Sequence, residues 1–105
     1  MRRQPAPPAG SDLGYVTQIG AEGTGNDQFS FPIAVATDGT SLWVTDTGNG
    51  RIVRRNASDL AYVSQVGSQG NGPDQFVNPG GVAVSGSVIL VADSYNHRIV
   101  KRGAQ

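Results

Sequence analysis

Three polar side chains in one short stretch have types and spacing that could perform chemistry. Asp46, Asn49 and Arg51 lie in TDTGNGRIVRR, residues 45–55. A carboxylate can accept a proton, and an amide or a guanidinium can hold a ligand or fasten two strands. A near copy, ADSYNHRIVKR at residues 92–102, repeats the triplet as Asp93, Asn96 and Arg98. Because the triplet occurs once in each copy, it favours a structural fastener over a unique catalytic site.

The triplet predicts a lock across a β-hairpin. Asp46 ends one apolar strand and Arg51 begins the next, so the two charges should face each other. Opposite charges placed this way stabilise a sheet by roughly 0.2–1 kcal/mol. We expect Asn49 to adopt positive φ in the turn, which asparagine tolerates, and its amide to bond the loop backbone.

The sequence segments that must position these side chains occur twice in the chain. SDLGYVTQIGAEGTGNDQFSFP begins at Ser11, and SDLAYVSQVGSQGNGPDQFVNP begins at Ser58, 47 positions later. The same offset carries the first triplet onto the second without a gap, and roughly half of the aligned positions are identical. A period of this size is typical of propeller blades. The predicted organisation is repeat 1 at residues 11–57 and repeat 2 at residues 58–105.

Strand signals dominate each repeat. YVTQIG and YVSQVG alternate apolar and polar residues, IAVAT and GVAV are small and apolar, and SLWVTD and VILVAD are almost continuously apolar. RIVRR and RIVKR complete each unit, and Gly, Asn and Asp residues separate the segments. No segment has a sustained helical period. The sequence therefore predicts an all-β protein with four short antiparallel strands per repeat.

The segments FPIAVATDGTSLWVTDTGNGRIVRR and NPGGVAVSGSVILVADSYNHRIVKR resemble NHL repeats. The second copy fits the pattern closely, whereas the first departs at Ile33, Ala34 and Gly50. The resemblance implies a β-propeller, commonly six-bladed in this family. Some NHL domains bind RNA, and some related propellers are enzymes with metal-binding His and Asp residues.

Two blades would leave two apolar faces and open sheet edges, and a ring needs at least about four blades. We therefore predict that the propeller is completed by homo-oligomerisation, with a homotrimer giving six blades. A truncated piece of a longer propeller is the alternative. The second blade lacks its own outer strand, so a neighbouring protomer should supply one. The predicted inter-protomer strand consists of Tyr15, Val16, Thr17, Gln18 and Ile19.

The composition disfavours several other function classes. The 105-residue chain has eight basic and eight acidic residues, so it has no general attraction for nucleic acids or anionic membranes. The absence of cysteine excludes disulfides, and one histidine cannot build a multi-histidine metal site in one chain. We expect no cofactor and no metal. No apolar run approaches the roughly 18 residues of a membrane span.

The N-terminal segment MRRQPAPPAG, residues 1–10, has two arginines but no apolar stretch after them. It does not have the form of a secretory signal, and its Pro and Ala content predicts a disordered or extended leader. A cytoplasmic or recombinantly expressed protein fits, and the near-identical repeats indicate a recently duplicated or designed sequence.

The loops could carry binding. The hairpin turns and the glycine-rich connectors, residues 21–30 and 68–77, should emerge on one face. The connectors lack the Lys-Ser/Thr ending of a phosphate-binding loop. If a small ligand or peptide binds, we expect it on this face. The candidate ligand face consists of Glu22, Asn26, Tyr95, Asn96 and His97.

Three function classes remain from the sequence. The favoured one is a self-assembling propeller scaffold or interaction module without catalytic activity. The second is an RNA-binding NHL module, in which a basic stripe would contact phosphates, but aromatic side chains for base stacking are missing from the basic strands. The stripe would consist of Arg54, Arg55, Lys101 and Arg102. The third is a fragment of a propeller hydrolase or lyase, disfavoured because no polar cluster is unique.

Overall fold

The computed structural model describes residues 13–105 and confirms the predicted all-β class. Two antiparallel sheets account for the described strands, with four strands in the first and three in the second. The first sheet contains β1 (Pro32–Thr37), β2 (Ser41–Asp46), β3 (Arg51–Asn56) and β4 (Tyr62–Val66), in that order. The second contains β5 (Pro79–Ser85), β6 (Val88–Asp93) and β7 (Arg98–Gly103). The predicted leader, residues 1–10, lies outside the described residues.

The hairpins β2–β3 and β6–β7 are the most regular parts of the structure. Asp46 pairs with Arg51 at the closed end of the first hairpin, and Asp93 pairs with Arg98 in the second. Each closed end is a single 3-10 turn, Thr47–Asn49 and Ser94–Asn96. A ladder without register shifts brings every second side chain of a hairpin to one face. The Asp and Arg side chains are thereby held side by side.

The expected positive φ at Asn49 is wrong. Positive φ falls one residue later, at Gly50 with φ 63° and at His97 with φ 53°. The cause is the 3-10 turn, whose last bond runs from the Gly50 N–H to the Thr47 carbonyl. In both hairpins the left-handed residue is thus the one that follows the asparagine, Gly50 or His97.

The core lies between the two sheets. Trp43, Ile52, Phe76, Ile89 and Val91 are buried there, with Ala104 at the end of the chain. The inner strands β1 and β5 are neighbours, although they belong to different sheets. The sheets therefore stack face to face with their first strands adjacent, as successive blades of a propeller do.

The outer faces of this two-sheet stack are open. Ile33 and Val35 are exposed on the first sheet, and Ile99 is exposed on the second. Residues 15–19 form no strand in the single chain, and all five are exposed. Within residues 13–105, no helix has the length and hydropathy that a membrane span requires.

Candidate functional site

Asp46 is the centre of a buried polar network at the end of the first hairpin. Its Oδ1 atom accepts a hydrogen bond from the Ser30 N–H at 2.7 Å. Its Oδ2 atom accepts from Asn49 Nδ2 at 2.9 Å and from Arg51 Nε at 2.6 Å. The carboxylate is fully buried, and a buried charge is tolerated when it is paired and hydrogen-bonded in this way.

Arg51 connects this carboxylate to the first connector, residues 21–30. Its Nη2 atom donates to the carbonyls of Gly25 and Gln28, at 2.9 and 2.8 Å. Its Nη1 atom donates to the Thr24 carbonyl at 3.0 Å. Asn49 adds a bond from Nδ2 to the Gly23 carbonyl at 2.9 Å. The two side chains therefore hold the connector over the hairpin turn as well as closing the hairpin.

The second triplet repeats these contacts. Asp93 Oδ2 accepts from Asn96 Nδ2 at 2.9 Å and from Arg98 Nε at 2.8 Å. Its Oδ1 atom accepts from the Val77 N–H at 2.8 Å. Burial of this carboxylate acts to raise its pKa, but the hydrogen bonds from Asn96, Val77 and Arg98 outweigh burial, and the pKa of Asp93 lies below its usual value.

A third network, which the sequence patterns did not indicate, surrounds Arg55. This side chain is only 1% exposed and pairs with Asp27, whose Oδ1 atom is 2.7 Å from Nη2. It also donates to the carbonyls of Asn26 and Leu60. Arg102 makes the corresponding pair with Asp74 at 2.9 Å. The signal available in the sequence was that Asp27 and Arg55 recur together as Asp74 and Arg102.

These pairs break up the predicted basic stripe. Arg55 is buried, and Arg102 is half-buried and paired with Asp74, so neither presents a free guanidinium. Arg54 lies over the Trp43 ring, 5.8 Å from its centroid, beside a cleft of about 270 Å³ between the sheets. Trp43 is only 3% exposed, so its own ring face is not open for a base to stack on.

The connectors are held in shape by their own glutamines. Gln28 Oε1 accepts from the Gly25 N–H at 2.9 Å, and Gln75 Oε1 accepts from the Gly72 N–H at 3.1 Å. Glycine is favoured at position 23 of the first connector because its φ is 152°, and a Cβ there would also displace the Gln28 side chain.

The contact between the two sheets is also polar at the turn. Thr47 Oγ1 donates to the Pro79 carbonyl at 2.7 Å. Gln69 Nε2, from the second connector at residues 68–77, donates to the Gly48 carbonyl at 3.0 Å. Phe76 from the same connector is fully buried beneath these bonds. We call this contact between the sheets the internal junction.

Residues 76–101 match the family model of the NHL repeat. This segment is an NHL repeat. A comparison with curated proteins finds no match to the chain. The segment that matches includes Phe76, β5, β6 and the triplet Asp93, Asn96 and Arg98.

The contacts found in the NHL repeat recur in the first sheet, which lies outside the residues that match the family model. Both sheets have the Asp–Asn–Arg network and the bond from the asparagine amide to a glycine carbonyl, Gly23 in one and Gly70 in the other. Both connectors form the same isolated bridge, Glu22 with Phe29 and Gln69 with Phe76. The first sheet is thus built from the same contacts as the NHL repeat.

The candidate ligand face is not a single cluster in the chain. Glu22 and Asn26 lie in the connector over the first sheet, whereas Tyr95 and His97 lie at the turn of the NHL repeat. No hydrogen bond or ion pair among the described residues joins the two groups. Asn96 is engaged with Asp93 and Gly70, so it belongs to the polar network. In residues 13–105, no three His, Asp or Glu side chains meet in a group that could hold a metal ion.

Proposed function

We propose that the chain is a self-assembling β-propeller module that acts as a scaffold or interaction platform and has no catalytic activity. Copies of the chain pair through their open sheet faces until the ring closes. Three copies provide six sheets, the number common among NHL propellers. Residues 15–19 of each copy add the fourth strand to the second sheet of its neighbour.

One comparison carries this proposal. Ile52 on β3 and Ile99 on β7 occupy equivalent positions of the two repeats, yet Ile52 is 1% exposed and Ile99 is 69% exposed. The internal junction covers Ile52, and Ile99 lies on the open face of the second sheet. Full burial of one such side chain contributes about 1.5–3 kcal/mol. A second copy that covers Ile99 as the internal junction covers Ile52 gains this free energy at every junction.

The two open faces have complementary chemistry. A shallow apolar depression on the first sheet is lined by Val35, Leu42 and Val44. A second depression, on the other sheet, is lined by Leu90, Ala92 and Ile99. Val35, Leu42 and Val44 correspond in the repeat to Val82, Ile89 and Val91, which form one side of the internal junction. Pairing of the open faces would therefore use the same type of contact that the chain already makes at the internal junction.

Residues 15–19 are suited in sequence to pair with the outer edge of β7. The segment YVTQI at residues 15–19 corresponds to YVSQV of β4. Among residues 13–105, no strand pairs with the outer side of β7. An unpaired β-strand edge is a ready site for another strand. With the register of β3 and β4, Ile19 would lie opposite Ile99 and Tyr15 opposite Arg102.

The absence of catalysis is proposed because the reactive side chains are already used. Asp46, Asp93, Arg51 and Arg98 are bonded to the backbone and to each other. An RNA-binding role has less support, since Arg55 and Trp43 are buried. Ligands or peptides would bind the loop face, where ring closure repeats each exposed side chain in every copy.

The native mass of the protein in solution tests the proposal. A ring of three chains has three times the 10.9 kDa chain mass, and it should persist at micromolar concentration. Masses of two or four chains would change the number of blades but keep the self-assembly. A mass of one chain at that concentration would overturn the proposal.

A further inference from the structure

The internal junction contains a close contact between a glycine and a glutamine. Gly50 has φ 63°, and a Cβ placed on it would lie 2.9 Å from Gln69 Cδ and 3.0 Å from the Phe76 carbonyl oxygen. Gln69 uses its amide to donate to the Gly48 carbonyl at 3.0 Å. In this contact, Gln69 supplies a hydrogen-bond donor and Gly50 leaves the space that a side chain would fill.

The corresponding positions at the open ends hold different residues. His97 stands where Gly50 stands, and Glu22 stands where Gln69 stands. They are the only histidine and the only glutamate in the chain. Their local structure is the same as at the internal junction, since His97 is left-handed with φ 53° and Glu22 bridges Phe29 as Gln69 bridges Phe76. Both side chains are exposed in the single chain.

The two replacements, histidine for glycine and glutamate for glutamine, are chemically complementary. An ionised glutamate only accepts hydrogen bonds, so Glu22 cannot donate to the Tyr95 carbonyl as Gln69 donates to that of Gly48. It needs a donor, and an imidazole N–H is one. We propose that His97 of one chain and Glu22 of the next form a hydrogen-bonded pair that determines the specificity of the junction between protomers. This inference rests on the proposed self-assembly.

Spacing gives the pair a second role. A Cβ at the Gly50 position would already be too close to Gln69. A junction with His97 at that position therefore needs a few tenths of an ångström more space between the hairpin turn and the facing connector. The internal junction and the junction between chains are then not interchangeable. Among the described residues, two other carboxylates near the turns and connectors already have cationic partners, Asp93 in Arg98 and Asp27 in Arg55. Glu22 and His97 are thus left to pair with each other.

A double-mutant cycle on assembly tests the inference. The variants are Glu22→Gln, His97→Gln and the two together, and the dissociation of the assembly on dilution is followed by native mass spectrometry and light scattering. Each single change should weaken association, and the coupling between the two positions should be about 2- to 5-fold per junction. The single-chain fold should be unaffected because both side chains are exposed, and far-UV circular dichroism checks this.

The internal junction supplies a matched control. Glu22→Gln with His97→Gly recreates the Gly50–Gln69 pair between chains, and association should return to the wild-type level or exceed it. The lone histidine also gives one imidazole signal by NMR, which should move on assembly in the wild type and move less in Glu22→Gln.

The outcomes separate the two proposals. The proposed pair would be overturned if the substitutions at positions 22 and 97 had strictly additive effects on assembly and the imidazole signal were the same in the wild type and in Glu22→Gln. Self-assembly would still stand in that case. A chain that does not associate would overturn both.

Discussion

Arg51 Nη1 donates to Gln65 Oε1 at 2.9 Å, and this bond ties β3 to β4 at the end of the polar network. Arg98 repeats the bonds of Arg51 to its aspartate and to its connector, but no glutamine faces it in the described part of the chain. Its side chain is 32% exposed, against 6% for that of Arg51. The residue at the Gln65 position of the other repeat is Gln18, in the free segment at residues 15–19. In the proposed ring, Gln18 of a neighbour completes the network.

Strand exchange can be trapped with a disulfide. The ladder of β3 and β4 places Arg54 opposite Ser64, and the same register places Lys101 opposite Thr17 of a neighbour. Directly opposed residues on antiparallel strands are within disulfide reach. The chain has no cysteine, so Thr17→Cys with Lys101→Cys introduces the only thiols. We expect oxidation to link chains covalently, as measured on a non-reducing gel and by mass.

The matched control for this experiment lies within one chain. Arg54→Cys with Ser64→Cys should oxidise to a disulfide that leaves the protein at the mass of a single chain. If the pair at positions 17 and 101 also closes within one chain, residues 15–19 fold back on their own second sheet and strand exchange is refuted.

Gly50 should be far less tolerant of alanine than Gly86. Both have left-handed backbones, with φ 63° and 57°, but a Cβ at Gly86 meets nothing within 4 Å. Gly86→Ala should therefore cost only the left-handed penalty, about 1 kcal/mol. Gly50→Ala adds crowding against Gln69 and the Phe76 carbonyl, and about 2–3 kcal/mol is expected. Urea unfolding of the two variants measures the difference, and equal losses would show that the junction relaxes around the methyl group.

Asp93→Asn should lower stability in a pH-dependent manner. The variant replaces a buried acceptor of charged hydrogen bonds, which should cost about 2 kcal/mol at neutral pH. The pKa of Asp93 is depressed in the folded state, so its contribution is present above about pH 4, the usual range of an aspartate, and is lost as the pH falls through the folded value. The difference in unfolding free energy between wild type and variant should therefore shrink below about pH 4.

The exposed Asp59 provides the control for that series. Asp59→Asn keeps an oxygen that can accept from the Ala61 N–H, so its effect should be small at every pH. A gap between wild type and Asp93→Asn that stays constant down to pH 2 would contradict the role assigned to the carboxylate.

Local patterns were sufficient for the hairpins. The bounds of β2 and β6 coincide with the apolar runs SLWVTD and VILVAD, because an apolar stretch between turn residues has few alternatives to a buried strand. The pairing of Asp46 with Arg51 followed from their spacing across a short turn. The prediction for Asn49 failed because the turn is a 3-10 turn, and which of its residues becomes left-handed depends on backbone bonds that side-chain preferences do not reveal.

The sequence by itself predicted the strands β1 to β7 and the charge pairs that close each hairpin, since these depend on residues close together in the chain. It also predicted a strand at residues 15–19, which the single chain does not form. Only the tertiary structure decided which surfaces are covered. Arg55 meets Asp27 because the connector crosses the sheet, and Ile52 is buried while Ile99 is exposed because one sheet face has a neighbour and the other does not. Burial depends on stacking between units that are distant in sequence, and identical repeat residues acquire different roles from it.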